Sequence, residues 1–104
     1  MTRIAYTVVA RLPSLAIRDE YCHWLESGHI DHVLRHGAHS AMIVRLEGQT
    51  GEAAQFVEVR YIFPTRQVFD EYLRAHAPAL RAEGVRLFGP ARGVTFSRTV
   101  GEIV

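Results

Sequence analysis

A chain of 104 residues, 48% apolar and 22% charged, is long enough for one hydrophobic core and too short for two. Its formal net charge of +1, with no Lys/Arg run, leaves no electrostatic footprint for nucleic acid. No stretch approaches the roughly 18 apolar residues of a membrane span, and the single cysteine, Cys22, has no internal disulfide partner, which fits a reducing compartment. One cytoplasmic domain over residues 1–104 is therefore expected, with neither nucleic acid nor membrane as a partner. The opening MTRIAYTVVARLPS alternates as a strand does and lacks a small-residue cleavage pattern, so it reads as mature protein.

The elements follow in chain order. RIAYTVVA (3–10) is β-branched and aromatic, and the LPS after it marks the end of a strand. From Ser14, the residues Ile17, Tyr21, Trp24 and Leu25 recur at helical spacing, and Gly28 bends or weakens that helix. HIDHVLRH continues as a second short helical piece closed by Gly37. SAMIVRLEG (40–48) and AQFVEVRYIF (54–63) read as strands joined by a hairpin at GQTGEA. Pro64 and Thr65 open another helix with Val68, Phe69, Tyr72 and Leu73 on one face. Pro78 suits a first turn, so APALRAEGVRLF is a separate helix ending at the GP that follows. GVTFSRTV (93–100) is the last strand.

The order β-α-β-β-α-β is the ferredoxin-like unit: an α+β fold with a four-stranded antiparallel sheet and helices on one face. In AQFVEVRYIF, the set Val57, Val59, Tyr61 and Phe63 suits the helix side. The other set, Phe56, Glu58, Arg60 and Ile62, is too apolar for a plain solvent face. The last strand shows the same mixture at Val94, Phe96, Arg98 and Val100, and both sets are assigned to a face covered by a second copy. Arg60 and Arg98 are then structural, pairing with Glu58 across a homodimer.

YLRAHAPALRAEGVRLFG followed by FSR, together with WLESGHIDHVLRHG, resembles a short bacterial family of unknown function within the dimeric α+β barrel superfamily. The resemblance covers nearly the whole chain. It implies a protomer whose sheet packs on a partner's sheet to close a barrel. The superfamily holds cofactor-independent monooxygenases, polyketide cyclases, haem-degrading enzymes, isomerases and small sensor domains, so membership leaves function open. The family commonly has Pro after its His-Ile pair, where this chain has Asp31.

Five of the six histidines fall between residues 23 and 39. On an ideal helix His29, His32 and His36 form a stripe, with His29 at the edge of the apolar face and the other two toward solvent. There is no HExxH and no cysteine pair, so no metal is expected and His32, His36 and His39 read as a solvated face. His29 coincides with the recurrent histidine of the resembling family. His76 sits where the chain turns between two helices, one helical turn after Tyr72. Trp24, His29, Tyr61, Tyr72 and His76 are expected to line one aromatic cavity with a few polar tips. Arg81 either orients a carboxylate or enolate oxygen or pairs with Glu83 or Asp70.

Two functions follow from these residues. One is a small-molecule enzyme needing neither metal nor organic cofactor: a cyclase, isomerase or monooxygenase acting on an aromatic or polyketide-like substrate. His29 and His76 would then be the catalytic acid/base groups, with Trp24, Tyr61, Tyr72 and Arg81 binding substrate. The other is a non-catalytic dimeric ligand-binding or accessory protein using the same pocket. The chain lacks a phosphate loop, a flavin fingerprint and a nucleophile elbow, which argues against nucleotide and triad chemistry.

Overall fold

The computed structural model describes residues 2–47 and 53–104. Strand β1 (Ile4–Leu12) leads into helix α1 (Leu15–Trp24), capped by Ser14, whose hydroxyl accepts the Ile17 N–H at 3.2 Å. Such a cap is worth about 1 kcal/mol. A wide turn over Leu25–His29 joins α1 to α2 (Ile30–Arg35). Strands β2 (Ser40–Arg45) and β3 (Gln55–Phe63) pair antiparallel. The glycines expected to turn this hairpin, Gly48 and Gly51, lie outside the described residues. Thr65 caps α3 (Arg66–Ala75) by accepting the Val68 N–H, and Pro78 sits in the first turn of α4 (Ala77–Leu87). Strand β4 (Thr95–Glu102) closes the chain.

The sheet order is β2-β3-β1-β4, antiparallel throughout, which is the expected ferredoxin-like α+β arrangement. Alternation along the two central strands buries Ile4, Tyr6, Ala10 and Leu12 beside Val57, Val59, Tyr61 and Phe63. Tyr21, Leu25, Phe69, Tyr72 and Leu80 close over them from the helices. Gly37, at φ 124°, lets the chain pass hard against α3; a Cβ there would stand 2.6 Å from Val68.

One assignment is corrected by register. Phe96, Arg98 and Val100 stand opposite Ala10, Val8 and Tyr6, so they share the helix-facing side rather than the outer face. Alternation separates a strand into two sets without saying which turns inward. In β4 the rival set, Thr95, Ser97, Thr99 and Gly101, is uniformly small and polar, and that set faces outward. The outer face keeps Phe56, Glu58, Arg60 and Ile62, joined by Ala5, Val9, Met42 and Val44. Arg60 lies 3.8 Å from Glu58 along its own strand.

The turn between α1 and α2 is a π turn: the Ile30 N–H reaches back five residues to the Leu25 carbonyl. Gly28, at φ 150° and ψ −27°, makes it possible. A Cβ at Gly28 would meet nothing within 4 Å, so Gly28→Ala isolates the backbone cost. That cost should be about 1–3 kcal/mol, lowering the melting temperature by roughly 5 °C or more. An unchanged melting curve would show that the turn tolerates a side chain without strain.

Candidate functional site

The π turn decides what the site is. With an extra residue in the turn, Trp24 and His29, five apart, lie one above the other instead of on diverging faces. Their rings stack with centroids 4.1 Å apart and planes 24° from parallel. Both line a cavity between the sheet and α4, together with Tyr61 and Tyr72, and Arg81 stands at its rim. Five of the six expected site residues are thus brought together. The enclosed volume is about 40 Å³, room for one or a few waters, so a larger ligand enters only if rim side chains move.

His76 does not join them. Helix α3 stops at Ala75, and the His76 backbone (φ −125°, ψ −37°) has left the helical path, so the one-turn relation to Tyr72 no longer sets its direction. Its ring stacks on His36 instead, with centroids 3.7 Å apart, and lies outside the cavity wall. His32, His36 and His39 are exposed. Among the described residues, no three His, Cys, Asp or Glu side chains gather into a group that could hold a metal ion.

Eight lining residues escaped sequence reasoning, and two of them, Tyr6 and Arg98, carry the hydrogen bonds at the rim. Tyr6 reads as plain strand core in RIAYTVVA, and Arg98 as an interface charge. In the structure the Tyr6 hydroxyl accepts hydrogen bonds from Arg81 Nη2 at 3.0 Å and Arg98 Nε at 3.1 Å. The three residues come from α4, β4 and β1. Arg81 therefore pairs with neither Glu83 nor Asp70, and Asp70 lies 3.9 Å from Arg66. Arg98 also lies over the Phe96 ring, 5.7 Å from its centroid.

Burial sets the protonation of this wall. It lowers the His29 pKa to about 4; Glu83 pulls it partly back and His32 lowers it further. Near pH 7 the imidazole is therefore neutral. Burial pushes the Tyr72 hydroxyl up to about 12, with Tyr6 adding to the rise and Arg81 and Arg98 opposing it. Tyr21 and Tyr61 are raised by burial as well. These tyrosines stay protonated and keep an O–H to offer a ligand, while a neutral His29 keeps a lone pair on one ring nitrogen.

The depressed His29 value has a consequence for stability. The unfolded imidazole takes a proton near pH 6.5 and the folded one only near pH 4, so the unfolded state binds more protons in between. The contribution is complete above about pH 6.5 and is lost as the pH falls toward 4. His29→Gln should flatten this part of the acid limb when melting temperatures at pH 7 and pH 4.5 are compared. An unchanged limb would place the acid sensitivity in other groups.

The fold is shared with solved proteins of low identity. A dimeric ferredoxin-like protein from an uncultured marine organism superposes with TM-score 0.69 at 13% identity, over 100% of this chain and 97% of that one. A protein of the ethyl tert-butyl ether d (EthD) family from Bacillus halodurans gives 0.68 at 11% identity, over 100% of both chains. A candidate monooxygenase from Shewanella loihica gives 0.58 at 12% identity, over 100% of this chain and 97% of that one. No curated protein matches the chain. Among the described residues no helix is long and apolar enough to cross a membrane. Residues 4–103, nearly the whole chain, match the profile of one family, and the protein belongs to it: the domain of unknown function DUF4286.

Proposed function

We propose that the protein is a cytoplasmic small-molecule enzyme that works without metal or organic cofactor on an aromatic or polyketide-like substrate. Its chemistry is of the cyclase, isomerase or monooxygenase type, and proton transfer through His29 is the shared step. One observation carries the reading: a neutral imidazole, stacked on Trp24, forms part of an aromatic cavity wall whose rim bears Arg81. A neutral ring can take a proton from an acidic C–H or O–H of the substrate. The Arg81 guanidinium would then hold the oxyanion that forms, and the imidazolium would return the proton to the product. Trp24, Tyr61 and Tyr72 shape the pocket. The fold shared with a candidate monooxygenase supports the choice of reaction class.

The same low basicity favours a second reading, a non-catalytic dimeric ligand-binding or accessory protein, because a pKa near 4 makes His29 a weak base. Hydrogen–deuterium exchange separates the two. A panel of aromatic and β-polyketone compounds in D₂O should exchange acidic C–H protons faster with protein than with buffer, and His29→Ala should abolish the gain. Binding without exchange would leave only the second reading.

In either case a second copy of the chain is proposed to cover the outer sheet face. Met42 is 62% exposed there, next to the half-buried Val9, Val44, Phe56 and Ile62. An apolar patch on a sheet face with no helix over it marks an interaction surface. Arg60 and Glu58 give that patch both signs of charge, which suits pairing with a copy of itself.

A further inference from the structure

Arg81 and Arg98 present two positive charges to one phenol oxygen. Neither has a carboxylate within ion-pair distance among the described residues; Arg3, Arg11, Arg35, Arg45 and Arg86 also lack one, but only Arg81 and Arg98 converge on a shared oxygen at a cavity. Like charges held this close repel each other unless an anion lies between them. Each guanidinium spends one N–H on Tyr6 and keeps others free, so the pair retains donors enough for both oxygens of a planar acid. Both arginines are exposed at the cavity rim, while the wall behind them is Tyr21, Trp24, Tyr61 and Tyr72.

We infer that the site takes a planar aromatic carboxylate, the carboxylate bridging Arg81 and Arg98 at the rim and the ring lying toward Trp24 and His29 as the rim side chains move aside to admit it. This rests on the pocket proposed above and names the class of its ligand. Tyr6 is the positioning residue, since its oxygen is what gathers two side chains from different elements. The bound anion also bears on His29. A negative charge at the rim favours the imidazolium, so occupancy raises the basicity that burial has removed. Ligand binding would thus prepare the base it uses.

The test uses 2-naphthoate, its neutral isostere 2-naphthamide, and inorganic phosphate. Affinity is read by calorimetry, and location by the indole N–H resonance of Trp24, the sole tryptophan. Naphthoate should bind at least tenfold more tightly than the amide, and both should shift the Trp24 signal. Arg81→Gln and Arg98→Gln should each weaken naphthoate about tenfold or more and leave the amide unchanged. Tyr6→Phe keeps the ring and the fold, removes only the gathering oxygen, and should weaken naphthoate several-fold. Phosphate should neither shift Trp24 nor displace naphthoate. Equal affinity for acid and amide would overturn the anion site while the aromatic pocket stands. A Trp24 signal unmoved by either compound would overturn both. Displacement of naphthoate by phosphate at comparable concentration would show a generic anion rim and overturn the aromatic-carboxylate class.

Discussion

His29→Ala should leave the protein folded and slow turnover by on the order of 10²-fold, the usual worth of a positioned acid/base group. His29 is half-buried and packs chiefly on the Trp24 face, so its loss opens a gap at the rim without unfolding the core. His29→Gln distinguishes the two roles an imidazole can play there. The amide keeps a hydrogen-bonding atom and does not titrate, so a Gln variant as slow as Ala assigns proton transfer to His29. Retained activity in the Gln variant would remove proton transfer and leave positioning. His36→Ala is the control: its ring stacks on His76 outside the cavity, and ligand binding and turnover should be unchanged. The pH profile adds an independent readout. In the free enzyme, activity that depends on neutral His29 should be flat from pH 8 down to about 5 and fall below that, following the depressed pKa. Equal effects of the His29 and His36 substitutions would reduce the whole histidine-rich stretch to a solvated helix face.

Much of this was legible in the residues, for reasons that are local. Ser14 and Thr65, each two residues past a strand, cap the next helices, and Val57, Val59, Tyr61 and Phe63 alternate toward a core as period-two patterning requires. Most errors came where a side chain's place depends on something distant. Phe96 and Arg98 turn inward opposite Ala10 and Val8; the small polar set Thr95, Ser97 and Thr99 was the visible signal of the outer face, and the charge of Arg98 pointed the other way. The Trp24–His29 stack was hidden by reading residues 14–36 with 3.6 residues per turn throughout. Gly28 was the visible signal of a departure, but it did not specify an extra residue in the turn. Tyr6 was missed because its hydroxyl finds partners 75 and 92 positions away. His76 was misplaced because the one-turn relation to Tyr72 assumed a helix that ends one residue sooner. The pattern of chemistry within a segment was readable, and the convergence of segments was not.

Ile62→Asp should convert a dimer into a folded monomer. Ile62 lies on the outer face of central strand β3, opposite Ala5 on one side and Ser40 on the other. In an isolated protomer an aspartate there reaches solvent and costs at most about 1 kcal/mol of strand preference. Under a second sheet the same carboxylate is buried without a partner, which costs several kcal/mol, and every 1.4 kcal/mol is a factor of ten in dissociation constant. The dimer should therefore weaken by on the order of 10²–10³-fold. Sedimentation at micromolar concentration should show about twice the chain mass for the parent and the single-chain mass for the variant, with unchanged circular dichroism. Phe96→Asp should behave differently. Phe96 lies on the helix side, its ring 6.0 Å from that of Tyr21, so a charge there should unfold the protomer instead of separating two intact ones. A parent that sediments as a single chain would refute the interface, and a Phe96→Asp variant that stays folded while Ile62→Asp unfolds would reverse the assignment of the two faces.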